Sequence, residues 1–292
     1  MDVLKQIINA QKQWAHSLNK NCQDGYLDCY LENLFIPLED DDLQSFKKGS
    51  GKELEDRDGE KAKMRALNSS SALCVNFFLY LKKNDLLNSF LKLIGIKTDI
   101  CSISGEFEKQ LNTGASSAKA NLDFYIKYNT SIVGIESKFT EHYSEHHYPL
   151  KQSYLSKKQD WLLKEKYSFA FPNLSKWIND KWKIDDYVYK GKKYVGRYSP
   201  FIYLDVEQLV KHLFALNNEN KHYTLVYIHY DLPCHKIDAH NKEIDTFEGI
   251  LKNDGVSFIS ISYQEIFKKL SKDLSTHYNY LDYMQSRYSL DK

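Results

Sequence analysis

Apolar residues recur at three- and four-residue spacing through Val3, Leu4, Ile7 and Ile8, and again through Leu27, Tyr30, Leu31, Leu34 and Phe35, so the first third of the chain is predicted to be mainly helical. Residues 39–63 break this pattern. They are polar, carry both signs of charge and contain three glycines, which predicts a solvated loop or linker. Beyond them, Ser69, Ser70 and Ser71 offer hydroxyl caps to an apolar helical body with Gly95 as its stop, which is room for one or two helices. From residue 96 the texture changes to short runs rich in β-branched and aromatic residues. Runs at 103–111, 121–128 and 131–139, the last two joined by a turn at 128–130, predict an antiparallel meander. A polar stretch rich in His and Lys reaches residue 166, and an aromatic section follows through Trp177 and Trp182. A helix is predicted from near Asp205. Residues 224–232 read as a buried central strand, and 256–263 as a further strand leading into a helix. No internal repeat occurs.

Composition narrows this picture in two ways. Forty Lys and Arg against 39 Asp and Glu leave a formal charge of +1, so any nucleic-acid site must be a local basic patch. The five cysteines form no CxxC pair, which suits reduced thiols in the cytoplasm, where the protein is expected to reside. The amino-terminal spacing is that of an amphipathic helix rather than a signal peptide, and no run of about eighteen apolar residues occurs, so no membrane partner is expected.

Chemistry concentrates in the meander. Hydrolysing a phosphodiester calls for a hard divalent cation, and such cations take carboxylate oxygens, so two acids on one surface are a minimum. Alternate residues of a strand share a face, which places Glu136 and Lys138 together. A hairpin turn near Asn129 brings Asp123 beside Glu136. Only one other acid-x-Lys triplet occurs, Glu219-Asn220-Lys221, and it lies in a polar run with no strand character. Glu136 and Lys138, by contrast, interrupt an apolar strand, where unpaired charge is costly. The alternative explanation is a structural ion pair on a wet strand face.

Asp123, followed after twelve intervening residues by Glu136-Ser137-Lys138, resembles the PD-(D/E)xK nuclease superfamily, which includes many restriction endonucleases and DNA-repair nucleases. The words ALNSSSALCVNFF, FEKQL, ANLDF, GIESKFTE, YLDVEQLVKHLFAL and LVYIHYD are similar to an uncharacterised bacterial branch of it, over residues 64–265. One letter departs: Leu122 stands where the motif has proline. The resemblance implies an α/β (α+β) restriction-endonuclease-like core at residues 96–292, with a mixed sheet flanked by helices and an insertion at about 143–200. A helical extension, residues 1–95, would pack on that core. It implies Asp123, Glu136 and the main chain of Ser137 as Mg²⁺ ligands, with Mn²⁺ able to substitute, and Lys138 as the group that orients water and stabilises the charge building on phosphate. Glu108 in FEKQL is a further candidate carboxylate, weighed evenly against an exposed strand residue.

Other signals add substrate contacts. Gln208 and Lys211, three apart on a helix, can face the site or a DNA phosphate. Lys151, Lys157 and Lys158 with Tyr154 form the best local basic and aromatic patch, the competing reading being a solvated face. His142 and His146 have half of a zinc spacing but lack a third ligand, so their segment reads as a solvated or DNA-facing loop. His229 with Asp231, and Gly191 with Gly196, match neither a nucleophile nor a phosphate-loop spacing. The expectation is a Mg²⁺-dependent DNA endonuclease of restriction or defence, acting on double-stranded DNA, in a form suited to a homodimer and to a cognate methyltransferase. The alternatives are a repair or structure-specific nuclease, and a catalytically silent binding protein of the same fold.

Overall fold

The computed structural model describes residues 3–48, 52–97, 102–115, 119–219 and 221–290; Cys101 and Asn220 lie outside these. Its centre is a five-stranded sheet of β1 (Ile103–Asn112), β2 (Lys119–Tyr128), β3 (Ser131–Lys138), β4 (His222–His229) and β5 (Ser257–Ser262), in the spatial order β5-β4-β3-β2-β1. β1, β2 and β3 form the antiparallel meander, while β4 runs parallel to β3 and β5 parallel to β4. The β2–β3 hairpin turns through Asn129 in the left-handed region, φ 47°, a conformation asparagine tolerates.

Each face of the sheet has its own core. Phe124, Ile126, Val133, Ile135, Val226 and Ile228 pack under the helices Ser70–Lys83, Leu87–Leu93, Tyr263–Leu270 and Tyr278–Tyr288. Leu122, Ile132, Leu225 and Tyr227 pack under the helices Pro172–Lys181, Val206–Asn217 and His235–Asn253. Leu122 and Phe124 are two apart in one strand, yet they feed opposite cores. The pleat therefore breaks at Asp123, the residue between them. Across the ladder Glu108 carries φ 49°, between the regular pairs Phe107 with Phe124 and Lys109 with Leu122.

The amino-terminal third departs from expectation. Where 27–35 was predicted to be helical, a two-strand turn, Cys22–Gln23 with Tyr26–Leu27, leads into a 3-10 segment, Tyr30–Asn33. Asp24 and Gly25 at positive φ force that turn, and the buried Asn33 amide donates to the carbonyls of Met64 and Ala66, so tertiary bonds override the apolar spacing. Residues 39–63 are not simply solvated either: they contain the helix Asp40–Lys48, whose Phe46 packs against Phe107 in the core.

Residues 183–198 form a hairpin, Lys183–Tyr189 with Lys192–Tyr198, joined edgewise by Pro149–Lys151. Arg197, 3% exposed, clasps it to the body by donating to the carbonyls of Trp161, Ile178, Asn179 and Trp182. Three of these lie at the end of the helix Pro172–Lys181, where the Ile178 carbonyl also accepts the Trp182 N–H. Arg197→Ala removes all four bonds at a buried site, and the expected loss is about 2–4 kcal/mol in urea unfolding. Arg197→Lys should recover only part of it, because one ammonium cannot reproduce the planar fork.

Candidate active site

β2 and β3 pair regularly as far as Phe124 with Ile135, and the next step sets Asp123 across from Glu136. There the strands part, and the Asp123 carboxylate fills the gap by accepting the Ser137 main-chain N–H at 2.7 Å. In an extended strand a residue's N–H and C=O point to the same edge, so the Ser137 carbonyl also faces Asp123. Lys138 is held from the other side, its carbonyl accepting the N–H of Tyr230 at 3.0 Å. The register on either side of Glu108 sets it opposite Asp123 in turn. Three carboxylates thus cross three adjacent strands and line one cleft of about 550 Å³.

Glu136 is 1% exposed and engaged at both oxygens, by Lys138 Nζ at 2.6 Å and by His212 Nε2 at 2.8 Å. Lys138 Nζ also donates to Gln208 Oε1 at 2.9 Å. Gln208 and His212 lie one turn apart on the helix Val206–Asn217, which Asp205 caps by accepting the Gln208 N–H. Gly134 allows this helix to sit so close: a side chain there would meet Leu216 Cδ1 at 2.9 Å and Leu122 Cδ1 at 3.0 Å.

Electrostatics divide the acids. Burial opposes the charge on Glu136, but Lys138 and then His212 hold its carboxyl down at about 2. Burial works against the Lys138 ammonium too, and Glu136 keeps it protonated well above the usual lysine range. Burial, followed by repulsion from Glu136, pushes Asp123 well above the carboxylate range. Glu108 rises to about 7 through burial, then Glu53, then Glu136. Glu53 is a fourth acid at the cleft, held by Lys63 Nζ at 2.9 Å and Ser71 Oγ at 2.8 Å. The cleft therefore carries more acid than its two lysines, Lys63 and Lys138, neutralise.

That excess, on hard oxygen donors, fits a divalent cation. Among the described residues no group of three His, Cys, Asp or Glu closes into a ready-made cage. An ion there would take carboxylates from Asp123 and Glu136, the Ser137 carbonyl, and water or substrate oxygen, the incomplete protein shell that suits Mg²⁺. Glu108 is placed to join them.

The remaining candidates separate. Lys211 is partly buried on the helix of Gln208 and His212, within the field of both Lys138 and Lys151. Lys151, Lys157 and Lys158 are exposed. Tyr154, expected to stack on bases, is 1% exposed and packs beside Tyr167 and Phe214, so its ring is closed to a ligand. The His142 segment is solvated in part: Ser144, Glu145, His147 and Tyr148 are exposed, whereas His142 is buried with Nε2 on the Tyr230 carbonyl, and His146 Nε2 meets the Glu141 carbonyl, so the two do not converge as zinc ligands. In the comparison triplet Glu219 and Lys221 form a loose pair at 3.6 Å, Glu219 half-buried and Lys221 exposed. Sequence reasoning missed His212, although its i+4 spacing from Gln208 was a usable signal. It also missed Glu53 and Lys63, which reach the cleft only through the tertiary fold.

Among the described residues no helix is long and apolar enough to cross a membrane. No curated protein and no solved structure matches the chain. One family model, described as Restriction Endonuclease associating with ARP, matches residues 4–289. The mixed five-stranded sheet flanked by helices is the architecture of a restriction-endonuclease-like core, and the chain belongs to this restriction endonuclease family.

Proposed function

We propose that the protein is a Mg²⁺-dependent DNA endonuclease of the PD-(D/E)xK class, acting in restriction or another defence role. The observation that carries the reading is the make-up of the cleft: a buried Glu136–Lys138 pair at 2.6 Å stands beside two carboxyls, Asp123 and Glu108, whose pKa values burial and repulsion raise. Such a cleft is primed to exchange protons for a hard cation. The cation supplies Lewis acidity toward the phosphate and a more acidic water.

The chain's own residues do the rest. Asp123, oriented by the Ser137 N–H, and Glu136, steadied by His212, fix the oxygen ligands. Burial opposes the charge on Lys138 but Glu136 keeps it protonated, so it acts as a donor and not as the base. It holds the attacking water or a non-bridging phosphate oxygen while the new P–O bond forms and the ester P–O bond breaks, the water's proton passing to solvent and the leaving oxygen taking one from solvent. Gln208 keeps the ammonium pointed into the cleft. Cutting both strands of a duplex suits two-fold pairing of the chain, and a restriction role suits a cognate methyltransferase.

Supercoiled and linear duplex DNA incubated with the purified chain should be cleaved with Mg²⁺ or Mn²⁺ and left intact in EDTA. Lys138→Ala should lower the rate by about 10²–10⁴-fold. Discrete fragments mark a sequence-specific endonuclease. Absence of metal-dependent cleavage on every DNA and RNA tried overturns the reading.

A further inference from the structure

The insertion carries a second concave surface that the cleavage chemistry does not use. Its hairpin turns through Lys190 and Gly191, both at positive φ (50° and 74°), a turn whose twist matches paired strands. The register sets Tyr187 opposite Tyr194 and Tyr189 opposite Lys192 on one face. The rings of Tyr187 and Tyr194 stack at 5.5 Å. Gly196 lets the Pro149–Lys151 strand close in, since a side chain there would meet Pro149 Cβ at 2.6 Å. Lys151 and Lys190 then stand over the Tyr189 ring at 5.0 and 5.5 Å.

Lys151, Lys157, Lys164, Tyr187, Tyr189 and Tyr194 line a groove of about 820 Å³, which has no Asp or Glu among its described lining residues. In a chain whose charges balance to +1, that bias is specific to this surface. Lysines suit phosphates, and tyrosine faces suit the faces of bases. A duplex keeps its base faces stacked inside and shows only edges and backbone, whereas a single strand turns them outward. Lys211, on the helix of Gln208 and His212, lies within the fields of Lys151 of the groove and of Glu136 and Lys138 of the cleft.

We propose that this groove binds single-stranded DNA, an unpaired stretch of the substrate strand, with its phosphates on Lys151 and Lys157 and its bases on Tyr187, Tyr189 and Tyr194. The proposal rests on the nuclease reading for the word substrate, but its test does not. Fluorescence anisotropy in EDTA, with no cleavage, compares a labelled oligothymidylate, a duplex of equal length and an oligouridylate. The parent chain should bind oligothymidylate most tightly. Tyr189 is 49% exposed, so its replacement should spare the fold. Tyr189→Ala should weaken oligothymidylate binding about tenfold and Tyr189→Phe should restore it, since the π-face does the work. Lys157→Ala should also lower the salt slope by about 0.7. Binding unchanged in Tyr189→Ala overturns the proposal, as does tighter binding of the duplex or of oligouridylate by the parent. Because nothing is cleaved in EDTA, loss of oligothymidylate binding reports on the groove alone and stands apart from any failure of the nuclease reading.

Discussion

The Asp123→Asn chain should withstand more urea than its parent while cleaving DNA about a thousand times more slowly. The asparagine side-chain oxygen can still accept the Ser137 N–H, so the local geometry survives. What disappears is a carboxyl that burial, Glu136 and Glu108 jointly oppose. Its folded-state pKa is raised above the ordinary value near 3.8, so its cost to stability grows as pH rises through and beyond that value. The gain from asparagine should therefore be greatest in alkaline buffer, about 0.5–2 kcal/mol, and should vanish near pH 4. Lys138→Ala should move the other way on stability, losing about 3 kcal/mol, because Glu136 is left buried with only His212 beside it. A fold that trades stability for a competent cleft predicts this opposition. Equal destabilisation by both variants, or near-parent cleavage by Asp123→Asn, would sink the assignment of Asp123.

The part of the site that was legible is the part encoded locally. Glu136 and Lys138 interrupt an apolar strand, and Asn129 supplies the hairpin that returns the chain, so the pairing with Asp123 follows from a two-residue turn and a period of two. The irregularity at Asp123 and Glu108 was not legible. It is a break in the pleat, visible only once Leu122 and Phe124 are seen in opposite cores. His212 sits in a helix whose apolar spacing is satisfied without it, and nothing local says that its ring meets a carboxylate 76 residues earlier. Glu53 comes from a stretch whose composition reads as solvent-facing, yet two hydrogen bonds hold it inside the cleft. The hairpin at 183–198 escaped for a different reason. Its alternation is of tyrosine with charge instead of apolar with polar, so the usual signal of a half-buried strand is absent, although Lys190-Gly191 marks the turn. Local rules thus reached the catalytic strand, and the surfaces that hold a substrate lay beyond them.

Acidification from pH 7 to pH 5 should draw about 6 kcal/mol of stability from three buried histidines, against which the raised carboxyls of Asp123, Glu108 and Glu207 return stability over the same interval. The cause is a cluster of three histidines between β4 and the helix His235–Asn253. His142, His229 and His240 are 1%, 6% and 0% exposed, and no Nδ1 among them has a hydrogen-bond partner. Their rings contact one another, His142 on His240 at 4.7 Å and His229 on His240 at 5.1 Å. His142 Nε2 meets the Tyr230 carbonyl and His240 Nε2 the Tyr227 hydroxyl. Burial holds His142 and His229 at about 3, with Lys138 and His146 adding to the effect on His142 and His142 to that on His229. Burial, then His142, His229 and His146, drive His240 lower still. Asp231, Asp245, Glu248 and Glu265 line the groove beside His229 without offsetting its burial. In the unfolded chain each histidine takes a proton below about pH 6.5, whereas in the folded chain it does not until far lower. The stability these rings contribute is therefore intact above pH 6.5 and is lost as pH falls toward 3, at about 2 kcal/mol per histidine by pH 5. His229→Phe keeps a ring against Tyr227 and removes one titration, so in urea unfolding the variant should lose about 2 kcal/mol less than the parent between pH 7 and pH 5. The same change between pH 7 and pH 5 in His229→Phe as in the parent would show that this ring is protonated in place, with the core accommodating its charge.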